Sequence, residues 1–113
     1  MKFSLENAFS FGREGLKGQA YNSKDDFPNA SAAYFEVTGS HWKVKTTTSD
    51  RIYLVLEGQG EFTIGDKVIS VSKTDVIIVP KNTIYDYRAI GGTLKLFLVH
   101  TPAFDPEAEV KFE

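Results

Sequence analysis

The run Arg51-Ile52-Tyr53-Leu54-Val55-Leu56-Glu57-Gly58-Gln59-Gly60 decides the fold. Ile52 to Leu56 is an unbroken series of branched and aromatic residues, which predicts a strand buried on both faces. Gly58-Gln59-Gly60 interrupts it. Glu61 to Ile64 resumes the strand pattern, Gly65-Asp66 supplies a tight turn, and Lys67 to Val71 returns as the second arm of a hairpin.

The same rhythm extends in both directions. Upstream, Ala33 to Val37 is rich in aromatic and branched residues. Trp42 to Thr48 alternates, with Val44, Thr46 and Thr48 on one face and Lys43, Lys45 and Thr47 on the other. Downstream, Val76 to Val79 is an apolar run stopped by Pro80. Ile84 to Arg88, a Gly91-Gly92 turn and Leu94 to His100 follow. Short strands at intervals of about eight to twelve residues predict an all-β sandwich or closed barrel. No long helix and no internal repeat is visible.

The ends differ from this middle. Residues 1–30 carry Gly12, Gly15 and Gly18, and turn-forming chemistry at Asn22 to Asp26, so they predict an irregular N-terminal segment of extended pieces and one short turn. Residues 103–113 form a tail whose last residues alternate, Val110 and Phe112 between Glu109, Lys111 and Glu113. That pattern suits either a loose acidic end or an edge strand that pairs with a partner subunit. The reading is one domain over residues 1–113.

Composition narrows the function. The chain has 113 residues, 42% hydrophobic and 25% charged, ordinary values for a globular protein. Thirteen basic and fifteen acidic residues give a net charge of −2, too balanced to capture nucleic acid or an acidic membrane. Without cysteine there is no disulfide, thiolate metal site or thiol nucleophile. No apolar run reaches the length of a signal peptide or membrane span, so a cytoplasmic location is expected.

Two stretches resemble the signature motifs of the cupin superfamily. Arg51 to Gly60 resembles the end of the first motif, hydrophobics followed by Leu-x-Gly-x-Gly. Thr74-Asp75-Val76-Ile77-Ile78-Val79-Pro80-Lys81-Asn82-Thr83-Ile84-Tyr85 resembles the second, and the Gly65-Asp66 hairpin lies between them as in the family. Phe97 to Pro102 is similar to the family's last barrel strand. The resemblance runs from about Tyr34 to Pro102. It implies an all-β, cupin-type jelly-roll barrel of the small, single-domain kind, with a pocket in its mouth.

It also implies where a metal would sit, and there the chain departs from the pattern. The motif-one glutamate falls on Arg51, the histidine pair falls near Val44 and Thr46 or Lys45 and Thr47, and the motif-two histidine falls on Tyr85. None is an ordinary ligand for iron, manganese, nickel or zinc, and an arginine sets a fixed positive charge against a cation. The expectation is therefore no metal and no cofactor.

Arg51 becomes the leading ligand-binding candidate, as a clamp for a carboxylate or phosphate. Its alternative is an internal ion pair with Asp50, Glu36 or Asp86, or a side chain that reaches the rim. Tyr85 and Tyr53 share the predicted inner face, as does Tyr87, and Thr46 could offer a hydroxyl to a sugar. His100 falls on the face of Leu94, Leu96 and Leu98. Tyr85 and His100 are the candidates for moving a proton. His41, in Gly39-Ser40-His41-Trp42, receives little weight. The three glycines near the N-terminus lack the context of a phosphate loop, and no Gly-x-Ser-x-Gly elbow occurs.

Three functions remain open. The first is a metal-free module that binds a small polar or anionic metabolite, sugar-like or carboxylate. The second is a metal-independent sugar isomerase, epimerase or lyase. The third is a structural dimerisation domain with a filled barrel. A small-molecule ligand and a homodimeric partner are expected; nucleic acid and membrane are not.

Overall fold

The computed structural model describes residues 1–112. Its eleven strands are β1 (Phe9–Arg13), β2 (Leu16–Ala20), β3 (Ser31–Val37), β4 (Lys43–Thr46), β5 (Asp50–Glu57), β6 (Gln59–Ile64), β7 (Lys67–Ser72), β8 (Val76–Val79), β9 (Tyr85–Ala89), β10 (Leu94–Thr101) and β11 (Glu109–Phe112). Two single 3-10 turns, at Leu5–Asn7 and Pro106–Ala108, are the only helical elements among the described residues.

The strands form two antiparallel sheets, β1-β2-β3-β10-β5-β8 and β11-β4-β9-β6-β7. They face each other as a jelly roll, which is the expected all-β, cupin-type architecture. Period-two alternation sends one face of each strand inward. Strand β10 buries Leu94, Leu96, Leu98 and His100, and β5 buries Arg51, Tyr53 and Val55. At the closed end an aromatic cluster joins the sheets. The Phe62 ring lies 4.7 Å from Tyr87 and 5.1 Å from Tyr53, in stacked and edge-on contacts.

Four details depart from the sequence reading. The segment 1–30 is not irregular throughout: β1 and β2 form a hairpin that extends the larger sheet through β3. Gly18 leaves room for the Phe11 ring, which a Cβ would strike, and Phe11 packs edge-on against Phe35. Strand β5 is buried on one face only, with Ile52 and Leu56 exposed, and β8 repeats this at Val76 and Ile78. The outer side of these two strands is left largely open, so the apolar run does not imply two buried sides. Strand β4 stops at Thr46, whose hydroxyl donates to the Ser49 carbonyl at 2.6 Å and turns the chain. Finally, residues 109–112 form an edge strand that pairs with β4 of its own chain, where the sequence reading had an edge strand pairing with a partner subunit; Glu113 lies outside the described residues.

The glycines of the first motif have distinct duties. Gly58 sits at φ +88, and a Cβ there would collide with the Thr93 carbonyl oxygen, whereas Gly65 at φ +61 faces open space. Gly58→Ala is therefore expected to destabilise the protein by about 2–4 kcal/mol, and Gly65→Ala by only about 1 kcal/mol. Urea denaturation midpoints of the two variants measure the difference.

Candidate functional site

The site grows from Arg51. Alternation along β5 turns its side chain inward, and it is only 3% exposed. A buried guanidinium requires partners for its charge and its donors. One Nη donates to a Glu109 carboxylate oxygen at 2.8 Å, delivered by the edge strand β11. The other donates to the Tyr85 hydroxyl, presented by β9. The Tyr85 hydroxyl lies 2.5 Å from that of Tyr53. Tyr85 accepts from Arg51 and shares one further hydrogen bond with Tyr53, in which either hydroxyl can be the donor.

Charge states follow from burial. Desolvation, above all, pushes the Tyr53, Tyr85 and Tyr87 phenols well above their usual range, so all three remain neutral donors. Desolvation opposes the Arg51 charge, but contacts with Tyr85, Tyr53 and Glu109 outweigh it and the guanidinium stays protonated.

The opposite wall carries His41. Its backbone N–H donates to the Tyr87 carbonyl at 2.7 Å, which fixes the loop before β4. The ring stacks with Tyr87, Trp42 and Tyr85, centroids 4.8, 4.9 and 5.9 Å away. Nδ1 lies 2.6 Å from the Trp42 carbonyl oxygen. A carbonyl only accepts, so Nδ1 carries the proton and Nε2 presents a lone pair. Burial, and then the Arg51 charge, pull the His41 pKa down to about 3. The same two causes, in the same order, hold His100 at about 3. Trp42 itself lies between two cations, Arg13 at 4.4 Å and Lys111 at 4.5 Å from its ring centre.

Between these walls is a cavity of about 860 Å³, opening where the β1–β2 hairpin, the 22–26 loop and β11 meet. The third sequence reading is corrected here, because the barrel is not filled. Arg51, Tyr53 and His100 line the cavity, as do His41, Trp42 and Glu109. Tyr85 stands behind Tyr53 and Arg51 and takes part through them. Thr46 does not line the cavity, and its hydroxyl is committed to Ser49, which removes it as a ligand contact. The Arg51 counterion is Glu109. Asp50 instead accepts from the Lys81 backbone N–H and Glu36 from the Tyr34 hydroxyl. The sequence reading missed Glu109 and passed over His41. The alternation around Val110 was the available signal for the first, and the adjoining Trp42 for the second.

The donor set does not fit the metal that the fold family implies. Its seats hold Arg51 and Tyr85, hydrogen-bonded to each other, and among the described residues no three His, Asp or Glu side chains gather where they could share an ion.

Residues 36–100 match the family model of the cupin domain, more than half of the chain. The chain belongs to the cupin family. An uncharacterized protein of Methanocaldococcus jannaschii is 34% identical over 64 residues, 56% of this cupin and 51% of the relative, so the chain spans about half the length of that protein. Among solved structures it is similar to Pac13, a nucleoside dehydratase, at 27% identity and a TM-score of 0.88, covering 100% of this chain and 91% of the other. The Streptomyces Pac13 has also been solved with uridine in one histidine-to-glutamine and two tyrosine-to-phenylalanine variants. KdgF from Halomonas sp., at 16% identity and a TM-score of 0.80, covering 93% and 96%, shares the fold.

Acid should destabilise this cupin through its histidines. In the folded state both imidazoles stay neutral down to about pH 3, whereas the unfolded chain takes up their protons near 6.5. The unfolded state therefore binds more protons across that window, and stability falls as pH drops from about 6.5 toward 3. Each histidine contributes at most about 1.4 kcal/mol per pH unit. Unfolding free energies of His41→Gln and His100→Gln, measured at several pH values, should each show a flatter dependence than the parent.

Proposed function

We propose that this cupin is a lyase that eliminates water from a nucleoside, using its own side chains as acid and base. One observation carries the reading: a neutral imidazole with a free lone pair, His41 Nε2, and a neutral phenol, Tyr53, belong to the same cavity. Elimination of water needs those two functions together, a base for a C–H proton and a donor for the departing hydroxyl.

The likeness to Pac13 supports this choice over a pure binding module. The two tyrosines altered in the uridine-bound variants of that protein stand thirty-four positions apart, as Tyr53 and Tyr87 do here. The altered histidine precedes the first of them by thirteen positions, against twelve between His41 and Tyr53. His41, Tyr53 and Tyr87 are in mutual contact through their rings or through one another.

The proposed step balances without an added reagent. His41 Nε2 takes a proton from a sugar carbon, and the electron pair forms a carbon–carbon double bond as the adjacent C–O bond breaks. The leaving oxygen takes the Tyr53 proton and departs as water. The resulting phenolate is held by the Tyr85 hydroxyl, which Arg51 polarises. The imidazolium then returns its proton to Tyr53 through solvent. An imidazole held near pKa 3 is a weak base. The C–H it attacks must therefore be acidified by a neighbouring carbonyl, so the substrate class is a nucleoside oxidised at its sugar.

Mass spectrometry should detect loss of one water from such oxidised nucleosides. His41→Gln and Tyr53→Phe are each expected to lower the rate by about 10²–10⁴-fold while leaving uridine binding, followed by calorimetry, within a few fold. Full activity in His41→Gln, or binding of uridine with no elimination from any oxidised nucleoside, would overturn the lyase reading and return the protein to the binding-module class.

A further inference from the structure

Three nitrogen atoms of the cavity lining have no partner, Trp42 Nε1 and a pair that face each other across two strands. Arg51 Nε and His100 Nε2 are both sealed from solvent and make no hydrogen bond. Their residues oppose each other directly in the register between β5 and β10, both side chains point inward, and both line the cavity. Side chains at directly opposed positions have Cβ atoms about 4.5–5.5 Å apart. A buried polar group left unpaired is costly, so each calls for a partner that completes it.

The chemistry of the pair selects the group that completes it. Arg51 Nε–H can only donate. His100 remains an uncharged imidazole beside the guanidinium. A hydroxyl fits both groups with either His100 tautomer: it accepts from Arg51 Nε–H and either donates to His100 Nε2 or accepts from it. A carboxylate or phosphate oxygen, which can only accept, fits just one of the two tautomers.

Charge balance points the same way. Glu109 already neutralises Arg51 at 2.8 Å. Elsewhere on the cavity lining Lys24 and Lys111 stand against Asp25 and Asp26. Cations and anions on the lining are equal in number, so no net field draws a phosphate inward, and a second anion beside Glu109 would be repelled.

We propose that Arg51 Nε and His100 Nε2 form a subsite for one uncharged sugar hydroxyl, so that the pocket takes its sugar unphosphorylated. This turns the sequence-derived expectation of an anion clamp at Arg51 into its opposite. It deepens the nucleoside reading and rests on that reading for the identity of the ligand, though not for the hydroxyl.

Calorimetry with uridine, its three monodeoxy analogues and uridine 5′-monophosphate tests it. The parent protein should bind the monophosphate at least tenfold more weakly than uridine. One deoxy analogue should lose at least tenfold, a little over 1.4 kcal/mol. His100→Leu should weaken uridine by a similar factor and make that same analogue no worse than uridine, a coupling that a merely structural histidine does not produce. If His100→Leu does not fold, His100→Gln, which keeps an acceptor, is expected to retain the preference for uridine over the monophosphate. Monophosphate binding as tight as uridine, or no deoxy analogue coupled to His100, would sink the subsite while leaving the lyase reading intact. If uridine does not bind, but ribose binds in preference to ribose 5-phosphate and depends on His100, the nucleoside reading fails and the subsite stands.

Discussion

A single buried positive charge organises this protein's interior. Arg51 lies on the inner face of a central strand, where an uncompensated guanidinium would cost several kcal/mol. Every group it touches is consequently constrained. Glu109 must come in from the far end of the chain, which gives β11 a reason to dock on β4 as an edge strand. Tyr85 must turn its hydroxyl toward the guanidinium, and Tyr53 must then turn toward Tyr85. The ion pair is thus a fastener for the tail as well as a wall of the cavity. Removing either partner would leave the other buried without its complement.

That charge also sets the protonation of its surroundings. It disfavours a proton on His41 and His100, which desolvation already keeps neutral, and it steadies the chain of phenols that ends at Tyr53. A neutral imidazole and a neutral phenol can therefore coexist on opposite walls of one cavity. In the usual cupin arrangement that the resemblance implies, a carboxylate and imidazoles hold a cation at these seats. Here the positive charge is covalently part of the protein, and the hydrogen-bonded phenols occupy the space where ligands would converge. The barrel is kept, and the seats where the resemblance places a carboxylate and an imidazole hold a guanidinium and a phenol hydrogen-bonded to each other.

Much of the fold was visible in local pattern. The hairpin around Gly65-Asp66, the strand ending at Pro80, and the alternation from Leu94 to His100 depend on period two and on turn residues, which act over a few positions. The inward placement of Arg51, Tyr53, Tyr85 and His100 followed from the same alternation. Local pattern failed where coverage by another element mattered. The apolar run from Ile52 to Leu56 has the same appearance whether one or both faces are packed. The Phe9–Ala20 hairpin was obscured by glycines whose role, at Gly18, is to admit an aromatic ring from the paired strand.

Strand alternation and residue identity are local properties, and they were enough to say which side chains face the barrel interior and that the family's metal seats hold an arginine and a tyrosine. The packed fold was needed to show that Glu109 neutralises Arg51, that His41 stacks into the site with its lone pair free, and that Thr46 is turned away. Those outcomes depend on the register between strands distant in the chain and on the direction of one loop. Fifty-eight residues separate Arg51 from Glu109, and no short-range pattern encodes which of fifteen acidic residues will arrive beside a buried charge.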